Sequence, residues 1–215
     1  MLQVKKFVFS PVEENTYVVY NESKECSIID PGCYFNNERN ELKDFLGELS
    51  LRPKYLLNTH CHLDHVFGEK FIHDTYQLIP YMHQNEKEML DLAPLAALQW
   101  NLPFDAYKGE VNYLTEGDLI RLGEDVLKII YAPGHSPGHI CFYCEAQKFI
   151  ISGDVLFRQS IGRTDLPGGD FDTLINNIRQ KLFVLPDDVV VYSGHGPETT
   201  IGFEKKYNPF LQLEI

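Results

Sequence analysis

The sequence predicts an α/β fold in which sheets and helices lie in layers. Three observations lead there. Short β-branched and aromatic runs recur from one end of the chain to the other, apolar residues at helical spacing alternate with them, and 215 residues with 44% hydrophobic content are enough to bury one substantial core. With 23% charged residues and with Gly and Pro scattered rather than clustered, disorder is not expected, and residues 1–215 read as a single domain.

Taken in order, "KKFVF", "TYVVY" and "CSIID" are strand runs, the last closed by Pro31-Gly32, and together they read as a meander. Leu42, Phe45, Leu46 and Leu49 recur at i, i+3, i+4 and i+7, which is a helix, and the strand "KYLLNT" follows Pro53. The chain then turns toward a helical stretch around Phe71 and Ile72. Residues 81–104, broken by Pro94 and carrying the only Trp, are expected to pack Met89, Leu92, Leu95 and Trp100 into the interior, with a wall over a pocket as the alternative. "LKIIYAPG" and "KFIISG" are further strand runs. Phe171, Leu174, Ile175, Ile178 and Leu182 repeat the helical spacing behind Asp170, a suitable N-cap, and "VVVY" at 189–192 is the last strand.

Composition excludes several classes of function. A net charge of -12 without a Lys/Arg cluster argues against a nucleic-acid partner. No apolar run approaches a membrane span and no signal peptide opens the chain, so no membrane partner is expected and the protein reads as cytosolic. Five cysteines, an odd number without framework spacing, suit a reducing compartment. Cys141 and Cys144 lie three apart in a strand run, pointing to opposite faces, and read as packing residues rather than a redox or zinc pair. The sequence sets no oligomeric state.

The stretch "NTHCHLDHVFG" places His60, His62, Asp64 and His65 within six positions immediately after a strand. His135, Asp154 and His195 each follow a strand run as well. Loops beyond strand ends carry the chemistry in layered α/β folds, so these loops are candidates to converge on one crevice. Five imidazoles and two carboxylates suffice for one site of three imidazoles and another of two imidazoles and a carboxylate, if the second carboxylate bridges; such ligands suit Zn(II), Fe(II) or Mn(II). Cys61 alternates with His60 and His62 and is expected to point away. His73 and His83 lack strand-end context and read as surface or packing residues. His139 is expected to bond a neighbour of the ligands rather than a metal.

"THCHLDH" resembles the HxHxDH signature of the metallo-β-lactamase superfamily, and "APGHSPGH", "SGDVLF" and "SGHGP" are similar to its later motifs, in order, from "IDPG" at 29 to "GHG" at 194. The resemblance implies a four-layer αββα sandwich with two divalent metal ions, most naturally zinc. It implies His60, His62 and His135 as ligands of the first ion, Asp64, His65 and His195 as ligands of the second, Asp154 as the bridge, and Asp30 as a buried supporting aspartate. "SGDVLFRQSIGRTDLPGGD" and "SGHGPETTIGFEKKYNPFL" look most like short bacterial hydroxyacylglutathione hydrolase (glyoxalase II)-like hydrolases, and the chain is expected to lack the C-terminal glutathione-binding helical domain of longer relatives.

The function so implied is hydrolysis of a small acyl thiolester, with Asp64 and Asp154 as catalytic ligands and a hydroxide held between ions about 3.5–4 Å apart as the nucleophile. A mononuclear Fe(II) persulfide dioxygenase is the alternative. Hydrolysis of β-lactams is not expected, since true β-lactamases usually depart from the full HxHxDH pattern or carry a cysteine ligand where this chain has Asp154. Arg163 occupies the position of a basic substrate-binding residue and is expected either to contact a substrate carboxylate or to pair with Asp165.

Overall fold

The computed structural model describes residues 1–212. The chain divides into two compact units, Met1–Leu114 with Arg121–Val126, and Thr115–Ile120 with the chain from Leu127 onward.

The first unit is built on a six-stranded sheet, β1 (Gln3–Phe9), β2 (Glu14–Tyr20), β3 (Glu25–Ile29), β4 (Arg52–Leu57), β5 (Pro80–Met82) and β6 (Asn112–Tyr113), in that spatial order. The expected meander is there: β1 to β3 are antiparallel neighbours. From β3 onward the pairing is parallel, because helices return the chain to the same edge of the sheet. Helix α1 (Asn36–Glu48) buries Leu42 and Leu46, and α2 (Glu69–Tyr76) buries Ile72, in one apolar cluster with Phe7, Val18, Ile28 and Leu56 of the strands. The start of α1 is tied down by the Glu38 carboxylate, which accepts from the backbone N–H groups of Ser10, Tyr34 and Phe35.

Helix α3 (Lys87–Gln99) corrects one expectation. It buries Leu90, Ala93 and Ala97, whereas Leu92, Leu95 and Trp100 are 39%, 53% and 59% exposed. At roughly 100° per residue Leu92 and Leu95 face away from the stripe carrying Leu90, Ala93 and Ala97, and Trp100 lies beyond the last helical residue. Only Met89 of the expected set packs on the small cluster of Cys61, Val66, Met82 and Leu90. His73 and His83 have local roles: His73 Nδ1 donates to the Leu78 carbonyl (2.8 Å), and the His83 ring accepts from Asn85 N–H (3.2 Å).

A second six-stranded sheet runs in the order β14 (Thr199–Thr200), β13 (Val190–Ser193), β10 (Phe149–Gly153), β9 (Ile140–Cys144), β8 (Asp125–Tyr131) and β7 (Leu119–Leu122), and β11 (Leu156–Phe157) pairs with β12 (Ser160–Ile161) separately. Helix α4 (Phe171–Asn177) starts at Asp170, whose carboxylate accepts from Thr173 N–H (2.8 Å), and continues into a π-helical turn, Ile178–Leu182. These segments and α5 (Ile201–Tyr207) pack Leu174, Ile175, Ile178, Leu182 and Ile201 against Ile150, Val191, Cys141 and Tyr143. β9 is buried along its whole length, so Cys141 and Cys144 are core residues, as the strand reading requires. No helix among the described residues is long and apolar enough to cross a membrane.

Candidate functional site

In the first unit, parallel pairing brings the ends of β3 and β4 together. Asp30 N–H, one residue past β3, donates to Leu57 O, and Thr59, two residues past β4, meets the Asp30 carboxylate with its backbone N–H (2.7 Å) and its hydroxyl (2.6 Å). Asp30 adopts φ +49°, a left-handed conformation that aspartate tolerates better than most residues. His60 and His62 follow in extended chain. A short 3₁₀ turn, Leu63–Val66, then brings Asp64 and His65 round, so that the His60 ring lies 4.8 Å from that of His62 and 4.0 Å from that of His65, centroid to centroid. Cys61 alternates away, as expected: its Sγ lies 3.6 Å from Met82 Sδ in the apolar cluster, and burial pushes its thiol pKa well above the ordinary value.

His65 is fully buried, and its Nδ1 lies 3.1 Å from Asp30 Oδ2, an acceptor when ionised. The hydrogen bond therefore assigns the proton to Nδ1 and the lone pair to Nε2. Asp30, His60 and His65 present possible ligand atoms within 4.8 Å of one another. The Asp30 oxygens already hold Thr59 and His65 Nδ1. Behind it sits Glu14, also fully buried, whose Oε2 is 2.8 Å from Thr16 Oγ1; desolvation raises its pKa well above the ordinary carboxylate value, partly opposed by the neighbouring His65.

In the second unit three loops emerge at one end of the sheet. Tyr131 pairs with Ile140, Phe142 with Ile151 and Ile151 with Tyr192, so the 132–139 loop, the residue after β10 and the residues after β13 share an edge. That edge carries His135, Asp154 and His195. Gly134, at φ +130°, lets the first loop pass the backbone of Leu174, which a Cβ would meet at 2.4 Å. His135 Nδ1 donates to the Arg163 carbonyl (2.8 Å), which places its lone pair at Nε2 too. His139 is buried, and its Nε2 accepts from Asp154 N–H (3.1 Å), the supporting role expected of it.

Asp154 Oδ2 lies 3.5 Å from His135 Nε2 and 3.8 Å from His195 Nε2, and in the first unit Asp64 Oδ2 lies 3.7 Å from His65 Nε2. These separations exceed hydrogen-bonding distance. They approach the roughly 3.3–3.5 Å between two ligand atoms each about 2.0–2.2 Å from a shared tetrahedral cation. Arg163 forms a two-point pair with Asp165 at the surface, Nε to Oδ1 and a terminal nitrogen to Oδ2, both 2.7 Å, and holds the Asp165 carboxyl down to about 2.

A family model described as the metallo-beta-lactamase superfamily matches residues 10–195. The chain belongs to that superfamily. A superfamily relative from Haemophilus influenzae, named hydroxyacylglutathione hydrolase GloC, is 39% identical over 201 residues, covering 93% of each chain. Among solved structures, one titled BLEG-1 B3 metallo-beta-lactamase superposes with a TM-score of 0.89 at 37% identity, over 98% of this chain and 100% of that one. Another, titled TTHA1623 in a di-iron-bound form, superposes with a TM-score of 0.87 at 36% identity, over 97% and 100%. The fold is thus the metallo-β-lactamase fold, the α/β class expected from the strand and helix pattern.

Two signals escaped sequence reasoning. Thr59 sits inside the signature with no ligand-type side chain to mark it, yet its hydroxyl touches both Asp30 and His60. Glu14 opens β2, and nothing local in the sequence marks it as a buried acid.

Proposed function

We propose that this superfamily member is a metal-dependent hydrolase of small acyl thiolesters. The observation that carries the reading is the 39% identity, over nearly all of both chains, to a relative named as a hydroxyacylglutathione hydrolase. Two divalent ions are proposed: one on His60, His62 and His135, a second on Asp64, His65 and His195, with Asp154 shared. Support comes from the tautomers of His65 and His135, each of which turns Nε2 outward as a ligand atom, and from the place of Asp154 Oδ2 near two imidazoles on separate loops. Zinc fits this donor set, and iron fits it as well, the metal bound in the TTHA1623 structure.

When bound, such ions lower the pKa of water toward about 7 and polarise a carbonyl. The protein's own groups do the rest. Asp64 and Asp154 contribute negative charge and direction. Asp30 holds the His65 ring, the Arg163 carbonyl holds the His135 ring, and His139 holds the backbone of Asp154. Arg163 receives a substrate carboxylate by exchanging it for Asp165. A departing thiolate, with a pKa near 8.5, needs no dedicated acid.

The test is metal analysis of the purified protein together with assays on S-lactoylglutathione, on a persulfide with oxygen monitoring, and on a chromogenic β-lactam, the substrate class raised by the BLEG-1 likeness. Thiolester hydrolysis with two equivalents of metal is expected. Turnover of the β-lactam alone, or oxygen uptake with one iron and no hydrolysis, would replace the proposal. His60→Ala should abolish nearly all activity, whereas His195→Ala should leave close to one metal equivalent bound. Full activity with a single equivalent at saturating zinc would overturn the two-ion reading.

A further inference from the structure

We propose that Thr59 is a positioning residue that sets the tautomer of His60, relaying the Asp30 charge to the Nδ1 side of that ring so that Nε2 carries the lone pair. The argument is a count of protons. The Thr59 hydroxyl has one proton to give and is 2.6 Å from Asp30 Oδ2 and 3.0 Å from His60 Nδ1. An ionised carboxylate oxygen only accepts, so the proton goes to Asp30. The hydroxyl oxygen is then an acceptor toward the ring, and His60 Nδ1 must be the donor.

The opposite chain of bonds, with Thr59 donating to His60, would require a proton on Asp30 Oδ2. That oxygen also faces His65 Nδ1 at 3.1 Å, and its partner Oδ1 already accepts Thr59 N–H at 2.7 Å. Asp30 therefore orders two imidazoles at once, His65 directly and His60 through one hydroxyl. All of these groups are buried, where an unpaired or misdirected proton is costly. A β-branched residue suits the position because its χ1 is restricted, so the hydroxyl is held between its two partners.

The consequence for metal binding rests on the reading of His60 as a ligand; the tautomer itself does not. A neutral imidazole offers one lone pair, and only the Nδ1-protonated form offers it at Nε2. Supporting bonds of this kind are worth about 10–100-fold in metal affinity.

The tautomer can be read in the metal-free full-length chain by long-range ¹H–¹⁵N correlation of the histidine rings, with the His60 signals assigned by their absence in His60→Ala. The wild type should show a protonated-type Nδ1 and a bare-type Nε2 at His60. Thr59→Val, close in shape but without the hydroxyl, should shift His60 toward the Nε2-protonated form and weaken binding of one zinc equivalent by about 10–100-fold in a zinc titration. Thr59→Ser should restore both. A protonated Nε2 at His60 in the wild type would overturn the relay whatever the variants do, and so would a Thr59→Val protein with an unchanged tautomer. If the tautomer responds as expected while zinc affinity is the same in wild type, Thr59→Val and His60→Ala, the relay stands and the assignment of His60 as a ligand fails.

Discussion

Replacing Glu69 by glutamine should make the protein more stable than wild type by a margin that grows as the pH rises, and by an amount the structure sets. Glu69 is the first residue of α2, fully buried, and among the described residues neither of its carboxylate oxygens has a hydrogen-bond partner. Burial first, and the charge of Asp30 second, push its carboxyl from an ordinary 4.5 up to about 8. Between those two values the folded protein keeps a proton that the unfolded chain has lost. Stability from this group is therefore fully present below about pH 4.5 and falls as the pH climbs toward 8, at about 1.4 kcal/mol per pH unit.

At pH 7 the penalty is on the order of 3 kcal/mol, a sizeable part of the roughly 5–15 kcal/mol typical of a domain. Glutamine has no proton to hold, so the stability difference between Glu69→Gln and wild type should widen by about 1.4 kcal/mol for each pH unit between about 5 and 8. Urea denaturation of both proteins at saturating zinc, in steps across that range, measures it, and any metal linkage common to the two cancels in the difference. Parallel pH profiles with a constant offset would show that the Glu69 carboxyl titrates normally in the folded protein, and the burial argument would fail.

Three further outcomes are expected. Cys61→Ser should keep its metal, because the side chain points into the apolar cluster beside Met82, but should lose about 1–3 kcal/mol of stability by burying a hydroxyl there; loss of metal on dialysis would make the cysteine a ligand after all. Gly162→Ala should lose zinc while keeping a native far-UV circular dichroism spectrum, since its Cβ would stand 1.9 Å from Asp154 O and 2.9 Å from His135 Nδ1 and must displace both; unchanged metal content and kcat would refute that. Arg163→Ala should raise KM for a carboxylate-bearing thiolester by roughly tenfold or more and leave a neutral thiolester unaffected, whereas equal effects on both would assign the arginine to its pair with Asp165 alone.

The parts of the fold legible in the sequence are those whose physics is local. Strands such as Glu25–Ile29 and Phe149–Gly153 announce themselves by β-branched runs because they are buried on both faces, and Asp170 marks a helix start because its side chain caps three residues on. The clustering of His60, His62, Asp64 and His65 was readable because one loop carries all four. Strands of two or three residues, such as Pro80–Met82 and Thr199–Thr200, have no such signature; they exist because a neighbouring strand supplies the other half of the ladder. The same holds for α3, where spacing reveals a face but not which face is covered, so the exposed Leu92 and Leu95 read as interior residues. Thr59 and Glu14 are defined by neighbours far along the chain, Asp30 for Thr59 and His65 for Glu14, and such neighbours are not visible in sequence spacing.

All five cysteine side chains are buried thiols, Cys26, Cys33 and Cys61 in the first unit and Cys141 and Cys144 in the second. Burial pushes the Cys26 and Cys33 thiols up to about 12, which leaves almost no thiolate for an oxidant or an alkylating reagent to meet in the folded state. Each sulfur reacts only as often as its surroundings open. The cysteines thus form a set of internal clocks, three in one unit and two in the other, and their separate labelling rates under native conditions report whether the two units breathe together or apart. In air, the same arrangement makes ageing of the protein a record of its opening events, because the first lasting oxidation falls on the region that opens most often.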